Sequence, residues 1–291
     1  MTPTVNSHFA GCGLIEIGLR ESGVRLGQSF ELARSCVATH RANFSHEIVQ
    51  CDLTKRLVRE NKGRDVDVFT FPCDNYSPVA DLHDSRTGDE LYLHAMRNVL
   101  VDPPEVFVCE NVPGMKKFPV VMETLTQVAG YHTTVFCPVQ SSLWLPQDRP
   151  RLIVVASRRA FAWRPPTARR RVKLRDIVEP EAQPHIPDYV RARIAGNYRD
   201  LPIVSDPARD DIAPLCVAHY AKDRSTRLVA DARFPHGVRP YTVREYARLQ
   251  GVPDSFVFPV SETAAYRMIG NGVSVPVGRW IGRELRRYFS S

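Results

Sequence analysis

A chain of 291 residues, 43% hydrophobic and 24% charged, has the make-up of a globular protein that can bury one large core or two unequal ones. No apolar run approaches the roughly 18 residues that cross a bilayer, and Met1 to Ala10 lack the basic start and apolar stretch of a secretory leader, so no membrane role and a cytoplasmic location are expected. The net charge of +7 is localised: residues 158–240 hold 17 Lys/Arg against 10 Asp/Glu, and the remainder of the chain is balanced, which fits either a solvated basic face or a polyanion-binding insert.

In chain order, Val5 to Phe9 predicts a short strand and Ala10-Gly11-Cys12-Gly13 a glycine turn, with a helix from Ile15 to Glu21 ended by Gly23. Strand, Gly-x-Gly turn and helix form a nucleotide-cradling arrangement, because glycine lets backbone approach a ligand closely. Gly27 to Glu31 predicts a second strand, ending in an acid about 20 residues past the glycines, the spacing at which a carboxylate meets ribose hydroxyls in doubly wound folds. A helix over Leu32 to Phe44 and a strand over Glu47 to Val49 lead into Cys51-Asp52-Leu53, where Asp52 can cap the following turn or contact an adenine amino group.

The apolar run from Val66 to Phe71 ends in Pro72-Cys73-Asp74. A buried strand ending on proline puts the next side chain at the carboxyl edge of its sheet, where open α/β folds do their chemistry. The polar loop from Asp74 to Gly88, with Ser77 and Arg86, is long for a simple connection and predicts a lid. A helix begins near Asp89, and a second apolar run, Val106 to Cys109, ends in Glu110-Asn111-Val112. Glu123 to Val128 predicts a helix and Tyr131 to Val139 a strand; Leu152 to Val155 then follows Gln147-Asp148-Arg149-Pro150-Arg151. A cysteine, a carboxyl and two arginines therefore sit at strand ends, in an α/β domain with a mostly parallel, doubly wound sheet. Residues 158–238 are rich in Pro and Arg, without clear alternation, and predict a small irregular domain. Thr242 caps a helix running through Gln250, and Gly270-Asn271-Gly272 precedes a last helix from Val277 to Tyr288. The seven cysteines contain no Cys-x-x-Cys pair, which argues against a disulfide framework and a zinc site; no metal is expected.

Taken in order, Phe9 to Gly13, Glu31 with Ala38-Thr39-His40 and Asn43-Phe44, Asp52, Pro72-Cys73, Glu110-Asn111-Val112, Gln147 to Arg151, Thr242 to Gln250 with Pro253-Asp254, and Gly270-Asn271 resemble the cytosine-5 DNA methyltransferase family of bacterial and phage type. The resemblance covers nearly everything except residues 158–238. It implies a Rossmann-like catalytic domain over 1–157, a target-recognition segment over 158–238, and a return to the catalytic domain over 239–291. It also implies S-adenosylmethionine as donor, S-adenosylhomocysteine as product, and double-stranded DNA as substrate. A cognate restriction endonuclease is a candidate partner, and a monomer located at the nucleoid of a prokaryote or phage-infected cell is expected.

On this resemblance Cys73 is the nucleophile that adds beside carbon 5 of a flipped-out cytosine, Glu110 serves ring nitrogen 3, and Arg149 and Arg151 stabilise the developing charge. Donor contacts fall on Phe9, Ala10, Gly11, Cys12, Gly13, Glu31, Leu32, Asp52, Leu53, Pro72, Asn271 and Val273. DNA contacts fall on Ser77, Arg86, Gln147, Arg169, Arg170 and Arg171. Departures are Thr70-Phe71 where the family usually has Gly-Gly, Asp74 and Tyr76-Ser77 after the cysteine, Leu14 after the glycine turn, and Ser7 where an acid is common. An RNA cytosine-5 methyltransferase and a non-catalytic nucleic-acid-binding relative are the alternative readings; the first lacks its Cys-Phe-Thr signature here, and the second does not need Cys73, Glu110, Arg149 and Arg151.

Overall fold

A computed structural model describes residues 1–57, 63–72, 91–168, 172–196 and 203–291. The chain divides into two compact units: Met1–Val139 with Pro150–Pro166 and Val277–Ser291, and Gln140–Arg149 with Thr167–Pro276.

The first unit is built on a sheet of strands β1 (Thr4–His8), β2 (Arg25–Glu31), β3 (Glu47–Gln50), β4 (Val66–Phe69), β5 (Val106–Asn111), β6 (His132–Gln140) and, after the two-residue strand β7 (Gln147–Asp148) of the second unit, β8 (Pro150–Ser157). Their order is β3-β2-β1-β4-β5-β8-β6. The pairs from β3 through β5 are parallel, and β8 joins β5 antiparallel. The fold is therefore α/β with a large, mostly parallel sheet. Helices α1 (Leu14–Glu21), α2 (Arg34–Asn43), α3 (Leu91–Val101) and α4 (Pro119–Thr126) follow β1, β2, β4 and β5 in the chain. Every residue of β4 and β5 is buried, which is why both read as unbroken apolar runs rather than as alternations. Phe69, Phe71, Met96, Phe107, Met115, Leu152 and Val154 share one core cluster with them.

In the second unit, β9 (Ile203–Ser205) and β11 (Arg227–Ala230) pair in parallel, and β11 pairs antiparallel with β12 (Val238–Pro240). The strand β10 (Ala213–Pro214) pairs with β7. Helix α5 (Asp188–Ala195) packs Val190 and Ile194 on Leu228 of β11. Helices α6 (Val243–Leu249) and α7 (Glu262–Asn271) follow, and α8 (Val275–Ser290) closes the chain. Regular structure thus occurs where an irregular segment was expected. Its strands are two to four residues long, and β9 buries Ser205 alone, so no alternation could show in the sequence. Compactness also draws other boundaries than composition did: residues 239–276 belong with the second unit, and the chain returns to the first unit at Val277. Gly270 and Asn271, ahead of the last helix, close α7.

Candidate active site

The turn after β1 is shaped by three residues in the left-handed region: Phe9 (φ 58°), Gly11 (φ 57°) and Gly13 (φ 88°). Gly13 is required twice over, because a Cβ there would also stand 2.6 Å from the Phe44 ring. Gly11 faces open space, with no atom within 4 Å of its would-be Cβ. Phe9 is not glycine, and its conformation costs about 1 kcal/mol or more. Its ring meets Phe71 edge-on at 6.1 Å and packs on Phe30 and Leu53.

Glu31, at the end of β2, accepts the amide of Gly11 through Oε2 (2.8 Å) and that of Ala33 through Oε1 (2.7 Å). A carboxylate has about four acceptor sites, so two such bonds fix its orientation and leave capacity for hydroxyl donors. Leu32 beside it is 60% exposed, whereas Leu53 is buried against Phe30. Asp52 Oδ1 accepts both the amide (3.0 Å) and hydroxyl (2.7 Å) of Thr54, and these bonds, over the opposing effect of slight burial, hold its carboxyl below the ordinary range. Cys12 is buried and contributes only backbone to this turn; burial pushes its thiol well up.

The parallel pairing of β4 with β5 sets Phe69 opposite Cys109, so Glu110 leaves the sheet at the edge where the chain runs on through exposed Pro72 toward Cys73. The antiparallel pairing of β5 with β8 sets Asn111 opposite Leu152 and thereby brings Arg151 beside Glu110. Arg151 Nε lies 2.9 Å from Glu110 Oε1, with both side chains about nine-tenths buried. Asn111 turns back, donating from Nδ2 to the Phe71 carbonyl (3.1 Å) and accepting the Val112 amide (2.9 Å). Phe71 itself is 3% exposed in the core cluster. Thr70 extends the ladder one step: its amide donates to the His8 carbonyl (3.2 Å) and its hydroxyl to the Phe9 carbonyl (3.0 Å).

In the second unit, two of the expected site residues are buried in ties to backbone. Arg149 is 1% exposed: Nη1 donates to the Cys216 carbonyl (2.9 Å), and Nη2 to the carbonyls of Gly270 (2.8 Å) and Gly272 (2.7 Å). The side chain is a clamp on the backbone either side of exposed Asn271. Gln147 is fully buried: its amide donates to the Leu249 carbonyl (2.6 Å) and accepts from the Cys216 amide (3.0 Å). Two polar residues at strand ends look alike in sequence whether they face a ligand or tie loops together. Val273 is buried, and Gln250 carries the same tie onward to Ile269 and Ser274.

Cys73, Asp74, Ser77, Arg86, Arg169, Arg170 and Arg171 lie outside the described residues. A group missed in the sequence stands directly under the glycine turn. Glu16 of α1 is wholly buried; its Oε2 lies 2.7 Å from His40 Nε2 and 3.2 Å from His46 Nε2, and its Oε1 accepts the Ser29 hydroxyl (2.8 Å). The three side chains converge within 4.8 Å of one another, close enough to share a metal ion, and His40 Nδ1 is buried without a hydrogen-bond partner. Burial pushes the Glu16 carboxyl up, but the two imidazoles outweigh it and hold it near 2. The group is a hydrogen-bonded support, and only its polar residues on an otherwise apolar helix face hinted at it.

A mostly parallel sheet with a glycine turn after β1, an acid at the end of β2 and an Arg-Glu pair on β5 and β8 is a Rossmann-like arrangement. A family model described as C-5 cytosine-specific DNA methylase matches residues 4–202 and 216–287. The chain belongs to this family, and it is a DNA cytosine-5 methyltransferase. Among its relatives, Type II methyltransferase M.NlaX of Neisseria lactamica is 30% identical over 97% of this chain and 96% of its own length. Type II methyltransferase M.HpaII of Haemophilus parainfluenzae is 27% identical over 95% and 87%. In fold, the chain is similar over its full length to the Entamoeba histolytica methyltransferase EhMeth (TM-score 0.83, 16% identity, 100% of both chains) and to S. pombe Dnmt2 (TM-score 0.78, 16% identity, 98% and 99%).

Proposed function

We propose that the enzyme takes S-adenosylmethionine at the β1–β2 edge and methylates carbon 5 of a cytosine extruded from duplex DNA, through a covalent adduct on Cys73. The observation that carries this reading is the buried Glu110–Arg151 pair at the strand edge beside the chain leading to Cys73. The donor fits the residues present: open space at Gly11 admits a ligand against backbone, Glu31 retains acceptor capacity for ribose hydroxyls, and exposed Leu32 and half-buried Phe9 offer apolar surface to an adenine. When bound, the donor supplies an electrophilic methyl on a sulfonium.

Extruding the base costs a few kcal/mol of stacking and pairing. The Cys73 thiolate adds to carbon 6, the neighbour of carbon 5, and makes carbon 5 nucleophilic. Glu110 hydrogen-bonds ring nitrogen 3 and carries the proton that offsets charge building in the ring, while Arg151 holds the Glu110 carboxyl in place. After carbon 5 has taken the methyl, loss of its proton re-forms the double bond and expels the Cys73 sulfur. S-adenosylhomocysteine is the product, and residues 169–171 contact DNA phosphates. Curated relatives named as type II enzymes support a cognate restriction endonuclease as partner.

The test uses duplex DNA carrying 5-fluorocytosine, which has no proton to lose from carbon 5. With donor present, a stable protein–DNA adduct is expected on the peptide containing Cys73, and none with Cys73→Ala. An adduct on another residue, or wild-type turnover by Cys73→Ala, would remove Cys73 from the mechanism.

A further inference from the structure

Phe9 holds a left-handed conformation that a phenylalanine does not favour, in the one loop that the donor must meet. Three interactions hold it there. The following amide, Ala10 N–H, donates to the Phe30 carbonyl (3.0 Å); the Phe9 ring lies edge-on to Phe71; and its carbonyl accepts the Thr70 hydroxyl (3.0 Å). The first two come from backbone and from an apolar ring contact. The third depends on a side chain at position 70 with a hydroxyl on Cβ. Thr70 also donates its amide to His8, so the end of β4 grips two successive carbonyls of the chain leaving β1. Threonine suits this task, since its branched Cβ restricts χ1 and keeps the hydroxyl aimed at one acceptor.

We propose that Thr70 is a positioning residue for the donor: its hydroxyl locks Phe9 in the left-handed conformation, so that the Phe9 ring stands ready for the adenine before the donor arrives. The role is exerted through Phe9, not by contact with the reacting atoms. Without the hydroxyl, the Phe9 carbonyl loses its partner and the turn relaxes toward conformations in which the ring must be reset on binding. The cost then falls on donor affinity, because pre-organisation lowers the ordering that binding requires. The inference rests on the reading that this sheet edge takes the adenosyl group.

Titration calorimetry of the full-length protein with S-adenosylhomocysteine tests it. Thr70→Val keeps the shape and removes the hydroxyl, and is expected to weaken binding about fivefold, the worth of one neutral hydrogen bond. Thr70→Ser keeps the hydroxyl and is expected to restore affinity to within about twofold of the wild type. In steady-state kinetics, the donor KM should rise in Thr70→Val by more than kcat falls. In a Phe9→Leu background the Val substitution should lose its effect, since a residue acting through Phe9 has nothing left to position. Equal affinity of Thr70→Val and wild type overturns the inference, as does a Ser variant no better than Val, or an undiminished Val effect beside Phe9→Leu. If Thr70→Val does not fold by circular dichroism, the comparison of Thr70→Ser with Thr70→Ala is read in the same way. Failure of the wild type to bind S-adenosylhomocysteine overturns the donor reading itself, a result separable from the others.

Discussion

Glu16 shows how one buried carboxylate can brace several segments at once. It lies on α1 directly after the glycine turn, and its partners come from β2 (Ser29), α2 (His40) and the segment before β3 (His46). One carboxylate therefore ties together four pieces of chain around the glycine turn. Its ordinary pKa of 4.5 is lowered to about 2 in the fold. A folded-state value below the unfolded one means that the ionised carboxylate contributes stability above pH 4.5, and that this contribution fades as pH falls from 4.5 toward 2. The linkage amounts to about 3 kcal/mol at full strength. Urea unfolding should accordingly show wild-type stability dropping between about pH 6 and about pH 3 by more than that of Glu16→Gln. Parallel pH profiles for the two proteins would mean that the fold does not lower the Glu16 pKa.

At the scale of elements, strand ends proved the most informative feature of the sequence, and also the least specific. The runs ending at Phe71 and Asn111 are buried strands of the central sheet, and Thr242 caps α6 with a reciprocal bond from Glu245, as serine or threonine three residues before glutamate leads one to expect. Arg149 and Arg151 stand two residues apart, yet one clamps carbonyls and the other pairs with Glu110. Their destinies diverge where β7 ends and β8 begins, and only tertiary pairing decides that. The basic segment is a further case: charge alone left a solvated face and a polyanion-binding surface equally open. Replacing Arg169, Arg170 and Arg171 by glutamine should weaken DNA binding and lower the slope of log affinity against log salt by roughly two to three, about one for each phosphate no longer neutralised. An unchanged slope in a fluorescence-anisotropy salt series would mean that the triplet faces solvent only.

Across the whole molecule, the central strands were legible because β4 and β5 are buried on both faces and run on into Pro72 and Glu110-Asn111. The second unit was not, since its short strands carry too little apolar pattern and its polar ties, such as Gln147 to Cys216 and Gln250 to Ile269, link positions far apart in the chain. The glycine turn, Glu31 and the Glu110–Arg151 pair all belong to the first unit, on or beside strands of one sheet, as the proposed joining of a methyl donor to a pyrimidine requires. Among the described residues no helix is long and apolar enough to cross a membrane. The central claim is the transfer of a methyl group to carbon 5 of cytosine in duplex DNA. It is tested most directly by incubating the protein with mixed-sequence duplex DNA and isotopically labelled S-adenosylmethionine, digesting to nucleosides, and identifying the label by mass spectrometry. The account predicts label in 5-methyl-deoxycytidine and none after Cys73→Ala. Label in another nucleoside, or in RNA but not DNA, would contradict it.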